Sequence, residues 1–243
     1  MSGHVVEAVG LTYAYPDGTR ALDGASFRVE PGEAVAIVGG NGAGKSTLLL
    51  MMAGLLEPNV GEARIGEVSV TPGSRDFVRR TLGFVFQDAD DQLFMPTVRE
   101  DVAFGPLNLG VTPEEAASLA STALEVVGAS HLADRAPYHL SGGEKRAVAL
   151  AGVIAMGPSV LLLDEPTAGL DPAARRRLIR LLQSFEQTRL IATHDLDLVL
   201  DVCTRVLAME GGRIVADGSP ETVFRDEALL TRCHLEPPLR WQG

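Results

Sequence analysis

The sequence predicts an α/β fold with a mainly parallel sheet and a helical lobe inserted in its middle. Three observations carry this. Residues 33–56 read as a strand, a glycine loop and a helix in direct succession (EAVAIV, GGNGAGKST, STLLLMMAGLL). Short apolar strands alternate with helices around both halves of the chain, as parallel strands joined by helical crossovers do. Between about residues 88 and 157 the texture is helical throughout.

Residues 1–32 read as short strands: HVVEAVGLTYAY and ASFRVE alternate loosely, and PDGT and EPGE mark turns. EAVAIV is short, apolar and bounded by glycines, like a buried strand. Residues 61–86 are mixed, with small strands and the charged segment SRDFVRR, and GFVFQ is a further strand. In the helical stretch Thr112, Pro113 and Glu115 supply an N-cap, an N1 proline and a capping box. Ala116, Leu119, Ala120, Ala123, Leu124 and Val127 follow at helical spacing, and Gly128 closes the helix. VLLLDE is an apolar strand ending in two acids. Asp171 and Pro172 open a helix with Leu178, Leu181, Leu182 and Phe185 on one face. RLIAT is a strand, HDLDLVLDVC a helix, TRVLAME and GRIVADG a closing hairpin, and the tail from about 221 holds a short helix before EPPLRWQG.

Composition excludes several classes. The chain has 243 residues, 46% hydrophobic and 22% charged, enough for one or two well-packed domains. Its net charge of −11 argues against a nucleic-acid partner. No apolar run reaches the ~18 residues of a membrane span, and no signal-peptide pattern opens the chain, so a cytoplasmic protein is expected. Cys203 and Cys233 are too few for a disulfide framework or zinc site. His4, His131, His139 and His234 are scattered and form no metal cluster.

Three motifs carry chemistry. Gly39, Gly44, Lys45 and Ser46 match the phosphate-loop pattern, with a strand before and a helix after. The N–H groups of residues 39–47 and the helix N-terminus would surround phosphates. Lys45 would reach the β/γ oxygens, and Ser46 would hold Mg²⁺. Asp164, at its strand end, suits Mg²⁺ directly or through water, and Glu165 can polarise an attacking water. In LSGGE (140–144) Ser141 and Glu144 make a capping box, and Gly142 and Gly143 cost roughly 1 kcal/mol each relative to alanine. That cost makes sense where something must approach bare backbone.

Taken in order, Tyr15 (with Tyr13 as rival), the loop Gly39–Gly40–Asn41–Gly42–Ala43–Gly44–Lys45–Ser46–Thr47, Gln87, Ser141–Gly142–Gly143–Glu144, LLLDEP, Asp171 and His194 resemble the ATPase subunits of ABC transporters over nearly the whole length. The resemblance implies a RecA-like parallel sheet core, an antiparallel β subdomain and an inserted α-helical subdomain at about 88–157. These together make a nucleotide-binding domain of residues 1–220, with a short extension at 221–243. It implies ATP and Mg²⁺ as cofactors. Tyr15 would stack on adenine, and Gln87 would approach Mg²⁺ and the water. Glu165 would polarise that water, His194 would contact the γ-phosphate, and Asp171 would belong to the dimer contact. LSGGE would face ATP held by a second ATPase chain, most simply an identical one. VFQDADDQLFMPTVREDVAFGPLNLG is similar to the energy-coupling-factor branch, above all the cobalt and nickel importer ATPases. There two ATPases sit beneath a transmembrane coupling protein that works with a substrate-capturing membrane protein, at the cytoplasmic face of a bacterial membrane. Asp88, Asp90 and Asp91 would receive basic residues of the coupling protein. The same architecture serves vitamin importers such as those for biotin. A non-transport ABC ATPase fits less well, because neither a long coiled coil nor a second cassette is present. The sequence ends in EPPLRWQG, shorter than several relatives of this branch, which puts an extended C-terminal contact between copies in doubt.

Overall fold

The computed structural model describes residues 3–242. Two sheets share the strands. Val6–Ala14 (β1), Arg20–Val29 (β2), Val60–Ile65 (β4) and Val68–Ser69 (β5) form an antiparallel sheet in the order β2-β1-β4-β5. Ala34–Val38 (β3), Leu82–Val85 (β6), Val160–Asp164 (β7), Thr188–Thr193 (β8), Arg205–Glu210 (β9) and Arg213–Gly218 (β10) form a six-stranded sheet, order β10-β9-β3-β8-β7-β6. Every pair in it is parallel except β10 with β9. β3, β7 and β8 are buried at every position, as strands covered on both faces must be, and their sequences are apolar apart from Asp164 in β7 and Thr188, Arg189 and Thr193 in β8.

The helices are Lys45–Met52 (α1), Arg75–Thr81 (α2), Val98–Asn108 (α3), Pro113–Val126 (α4), Gly142–Ala155 (α5), Pro172–Gln183 (α6), Leu196–Val202 (α7), Pro220–Phe224 (α8) and Glu227–Arg232 (α9). Three apolar clusters result. One fills the space between the two sheets around α1, one lies on the far face of the six-stranded sheet, and one joins α3, α4 and α5. α5 serves two of them: Val148 and Ala151 face the helical cluster, while Leu150 and Val153 face the sheet. That divided helix fixes the start of α5 relative to the sheet.

Two sequence expectations are refined here. Thr112 caps α4 by accepting from the Glu115 N–H at 3.3 Å, but Glu115 does not return the bond. The full reciprocal box sits at the start of α3 instead, where Thr97 and Glu100 satisfy each other's donors. The tail contains two short helices, α8 and α9, where the sequence predicts one.

Candidate active site

Parallel pairing brings Val38 beside Thr193 and Asp164 beside Ala192. The residues that follow β3, β7 and β8 therefore meet at one carboxyl edge, where ligands bind open parallel sheets. A cavity of about 310 Å³ opens there. Its walls are Tyr15, Thr19, Arg20, Ala21, the loop from Asn41 to Thr47, Gln87, Glu165 and His194.

The loop leaves β3 and enters α1 through Gly44, whose φ of 102° favours glycine and whose missing side chain admits the Ala21 carbonyl. Lys45 is buried and its ammonium donates to the carbonyls of Gly39 (2.8 Å) and Gly40 (3.1 Å). Burial pulls this ammonium below the ordinary lysine range, and the charges of Glu165 and Asp164 push back. Asp164 is also buried, which pushes its carboxyl up, against hydrogen bonding from Ser46 and attraction from Lys45 and Arg146. Its Oδ1 has no hydrogen-bond partner. A buried, unpartnered carboxylate oxygen beside the Ser46 hydroxyl, with Gln87 on the cavity wall, is an oxygen donor set of the kind Mg²⁺ takes.

Glu165 is buried in the left-handed region at φ 44°, a strain of about 1–3 kcal/mol for a non-glycine residue. Its N–H donates to the Ala192 carbonyl at 2.8 Å. Its carboxylate accepts from the Thr193 hydroxyl (3.1 Å) and the His194 N–H (3.4 Å), and His194 Nδ1 lies 2.9 Å from Oε1. The acid is thus aimed by its neighbours on β8. Tyr15 reaches the loop through a 3.0 Å hydrogen bond between its hydroxyl and that of Thr47, whereas Tyr13 packs on the apolar core. Of the two tyrosines, Tyr15 is the one that lines the cavity.

Not every candidate gathers here. Gly39 and Gly40 lie off the cavity wall. Their carbonyls serve Lys45, and the Gly40 N–H donates to the Cys233 carbonyl at 2.7 Å, so it is not presented to a phosphate. Ser141, Gly142, Gly143, Glu144 and Asp171 are absent from the wall too. Ser141, Gly143, Glu144 and Asp171 border a separate cavity of about 660 Å³ between α4, α5 and α6. Ser141 and Glu144 form the complete capping box (Glu144 Oε2 accepts from Ser141 N–H at 2.8 Å). Gly142 is exposed, and a Cβ there would meet nothing within 4 Å, so no packing inside the chain demands a glycine. Asp171 caps α6, accepting from Ala173 (2.8 Å) and Ala174 (2.9 Å), which holds its carboxyl below the usual range. Asp88 caps a short turn by accepting from Asp90 N–H, and Asp90 accepts from Lys145 at 2.6 Å, so part of the acidic run is engaged within the chain.

Sequence reading missed three supports. Thr193 orients Glu165. Arg146 is buried and donates to the carbonyls of Phe86 (3.0 Å) and Ala168 (3.2 Å), tying α5 to the segments around Gln87 and Asp171. Arg175 clamps Asp195 with two hydrogen bonds (2.8 and 2.9 Å) directly after His194. For Arg146 a signal existed: its spacing to Leu150 and Val153 puts it on the buried face of α5.

Residues 22–168 match the ABC transporter family. The energy-coupling factor transporter ATP-binding protein EcfA of Methanothermobacter thermautotrophicus is 46% identical over 239 residues, 96% of this chain and 77% of that protein. CbiO1 of Clostridium perfringens, part of the ABC transporter complex CbiONQ, superposes with a TM-score of 0.81 at 39% identity, covering 94% of each chain. The ATP-binding cassette MJ0796, in a dimeric post-hydrolysis state with ADP and Pi, gives 0.80 at 26% identity, covering 88% of this chain and 98% of that one.

Proposed function

The chain belongs to the ABC transporter family and is an ATPase of it, and from that premise we propose that two copies together power an energy-coupling-factor importer for a transition-metal ion, cobalt before nickel. The observation that carries the pairing is the separation of Ser141–Glu144 from the cavity beneath Lys45. Each cavity lacks a wall that a second chain can supply, with its bare Gly142 backbone against the γ-phosphate. The dimeric MJ0796 cassette supports that arrangement.

In this reading Tyr15 stacks on adenine, and the amides of Asn41–Thr47 bind the phosphates. Lys45 exchanges its resting carbonyl partners for β/γ oxygens. Glu165, aimed by Thr193 and His194, orients the attacking water, and His194 follows the γ-phosphate. Ser46, Gln87 and Asp164 would hold Mg²⁺, which offsets phosphate charge when bound. Asp171 sits at the contact between copies. The nucleotide-binding domain spans residues 1–220, with its helical subdomain at about 88–157.

No helix among the described residues is long and apolar enough to cross a membrane. We place the chain on the cytoplasmic face, beneath a coupling protein that docks where Asp88, Asp90 and Asp91 adjoin the exposed Phe94 and Phe104, with a separate membrane protein capturing the cargo. The cargo is read from the resemblance of residues 85–110 to the cobalt and nickel importer ATPases. Co-purifying the chain with membrane subunits encoded beside it, and measuring ATP-dependent uptake into vesicles, tests both halves. Cobalt uptake is expected. Uptake of biotin without cobalt would reassign the cargo, and failure to associate with any membrane subunit would overturn the importer reading.

A further inference from the structure

The segment after residue 220, set apart by sequence as an extension, is bonded to the phosphate loop. The Gly40 N–H donates to the Cys233 carbonyl at 2.7 Å. A Cβ at Gly40 would stand 2.8 Å from the His234 Cβ and 3.2 Å from that carbonyl, so the phosphate loop and the tail touch backbone to backbone. His234 takes a left-handed φ of 54°, sparsely populated for a residue with a side chain. Cys233 is buried, and Leu235 packs on the sheet's apolar cluster, which anchors the turn.

The same segment then crosses to α7, the helix that starts two residues after His194. The Leu239 N–H donates to Asp197 Oδ2 at 2.9 Å. The Arg240 guanidinium donates to Asp197 Oδ1 (2.9 Å), the Asp197 carbonyl (3.2 Å) and Asp201 Oδ1 (2.9 Å). Between this segment and the start of α6 lies a cavity of about 980 Å³ with His194 on its wall.

We infer that residues 233–241 are a positioning segment of the nucleotide site: the Cys233 carbonyl holds the Gly40 amide, Arg240 holds α7, and one stretch of chain braces the phosphate loop against the turn that carries His194. The inference rests on the ATP-site reading for its consequence, but the brace itself is measurable without nucleotide. Gly40 is glycine, on this account, because the tail occupies the place of a side chain. Its amide is spent on the tail so that the amides after it stay aligned.

Hydrogen exchange and steady-state ATPase kinetics test this on the full chain. Arg240→Ala is expected to speed exchange of the Gly40 amide, and to raise the KM for ATP several-fold with kcat nearly kept, the signature of lost binding alignment. Arg240→Lys, which keeps the charge, is expected to fall between. Gly40→Ala is expected to raise KM roughly tenfold. His234→Gly removes the colliding Cβ and suits the left-handed backbone, so the double variant is expected to recover most of that loss. Unchanged Gly40 exchange in Arg240→Ala, or no rescue of Gly40→Ala by His234→Gly, would overturn the inference. Wild-type protein that binds no ATP would instead overturn the functional reading, leaving the exchange result to stand by itself.

Discussion

Asp164 is held in conflict with its own charge. It is buried at a strand end, its Oδ1 has no hydrogen-bond partner, and burial lifts its carboxyl above the ordinary carboxylate range despite Ser46, Lys45 and Arg146. A group whose folded pKa is raised binds its proton more tightly folded than unfolded. It therefore weakens the fold progressively as pH rises from its ordinary value through the folded one. Asp164→Asn removes that term while keeping the shape. The nucleotide-free variant is expected to melt higher than wild type at pH 7, by about 2–4 °C for a gain on the order of 1 kcal/mol. The gain should shrink as pH falls through the raised folded value towards the ordinary carboxylate one, where the burial penalty is lost. The extra protection that Mg²⁺ gives an ATP-bound sample should vanish in the variant. A lower melting temperature at neutral pH would mean that the carboxylate is satisfied in some other way. Glu165 repeats the pattern in backbone terms, since a left-handed acid is tolerated where Ala192, Thr193 and His194 over-determine it.

At the scale of the element, α5 shows which features a sequence carries and which it does not. β3 and β7 are readable because burial on both faces leaves apolar residues at every position but the terminal Asp164, while β8 keeps only Leu190, Ile191 and Ala192 as its apolar centre. α4 is readable because one face alone is buried, which imposes a period. The capping box at Ser141 is readable because both partners lie within one turn. The bonds of Arg146 to Phe86 and Ala168, and of Gly40 to Cys233, join distant stretches through backbone carbonyls, and a carbonyl leaves no mark in sequence. Glu115 has the right spacing for a box and does not close one, because spacing fixes reach and not rotamer. Gly142 divides stability from function most cleanly. It opens α5, its φ is not left-handed, and a Cβ would meet nothing within 4 Å. Gly142→Ala should therefore stabilise the isolated chain by about 0.4–1 kcal/mol. The same variant should lose most of its ATPase activity and its ATP-driven pairing, because the added methyl stands where the partner's γ-phosphate approaches. Thermal melting with kinetics checks both signs, and a variant that is both more stable and fully active would place the phosphate elsewhere.

The whole chain carries a net charge of −11, so two copies repel at long range, and nucleotide adds more negative charge between them. On the proposed pairing, closure would come from contacts made only when the γ-phosphate is gripped from both sides, and this sets up a test that no single chain can imitate. Lys45→Ala should disable the pocket built on its own loop. Ser141→Arg should disable the pocket built on its partner's loop. Each variant alone forms pairs with both pockets broken. In a mixed pair both lesions fall on one pocket, and the other combines the intact Lys45 of one chain with the intact Ser141 of its partner. An equal mixture in which chains exchange freely forms mixed pairs about half the time, each with one working pocket of two. About a quarter of wild-type activity should therefore return from two inactive proteins, if the pair is symmetric and each pocket fires alone. Arg146 and the capping box at Ser141 are untouched by Lys45→Ala, so that partner should still present a folded α5. If the mixture stays as inactive as its parts while size analysis shows mixed pairs, the LSGGE segment does not complete its neighbour's pocket.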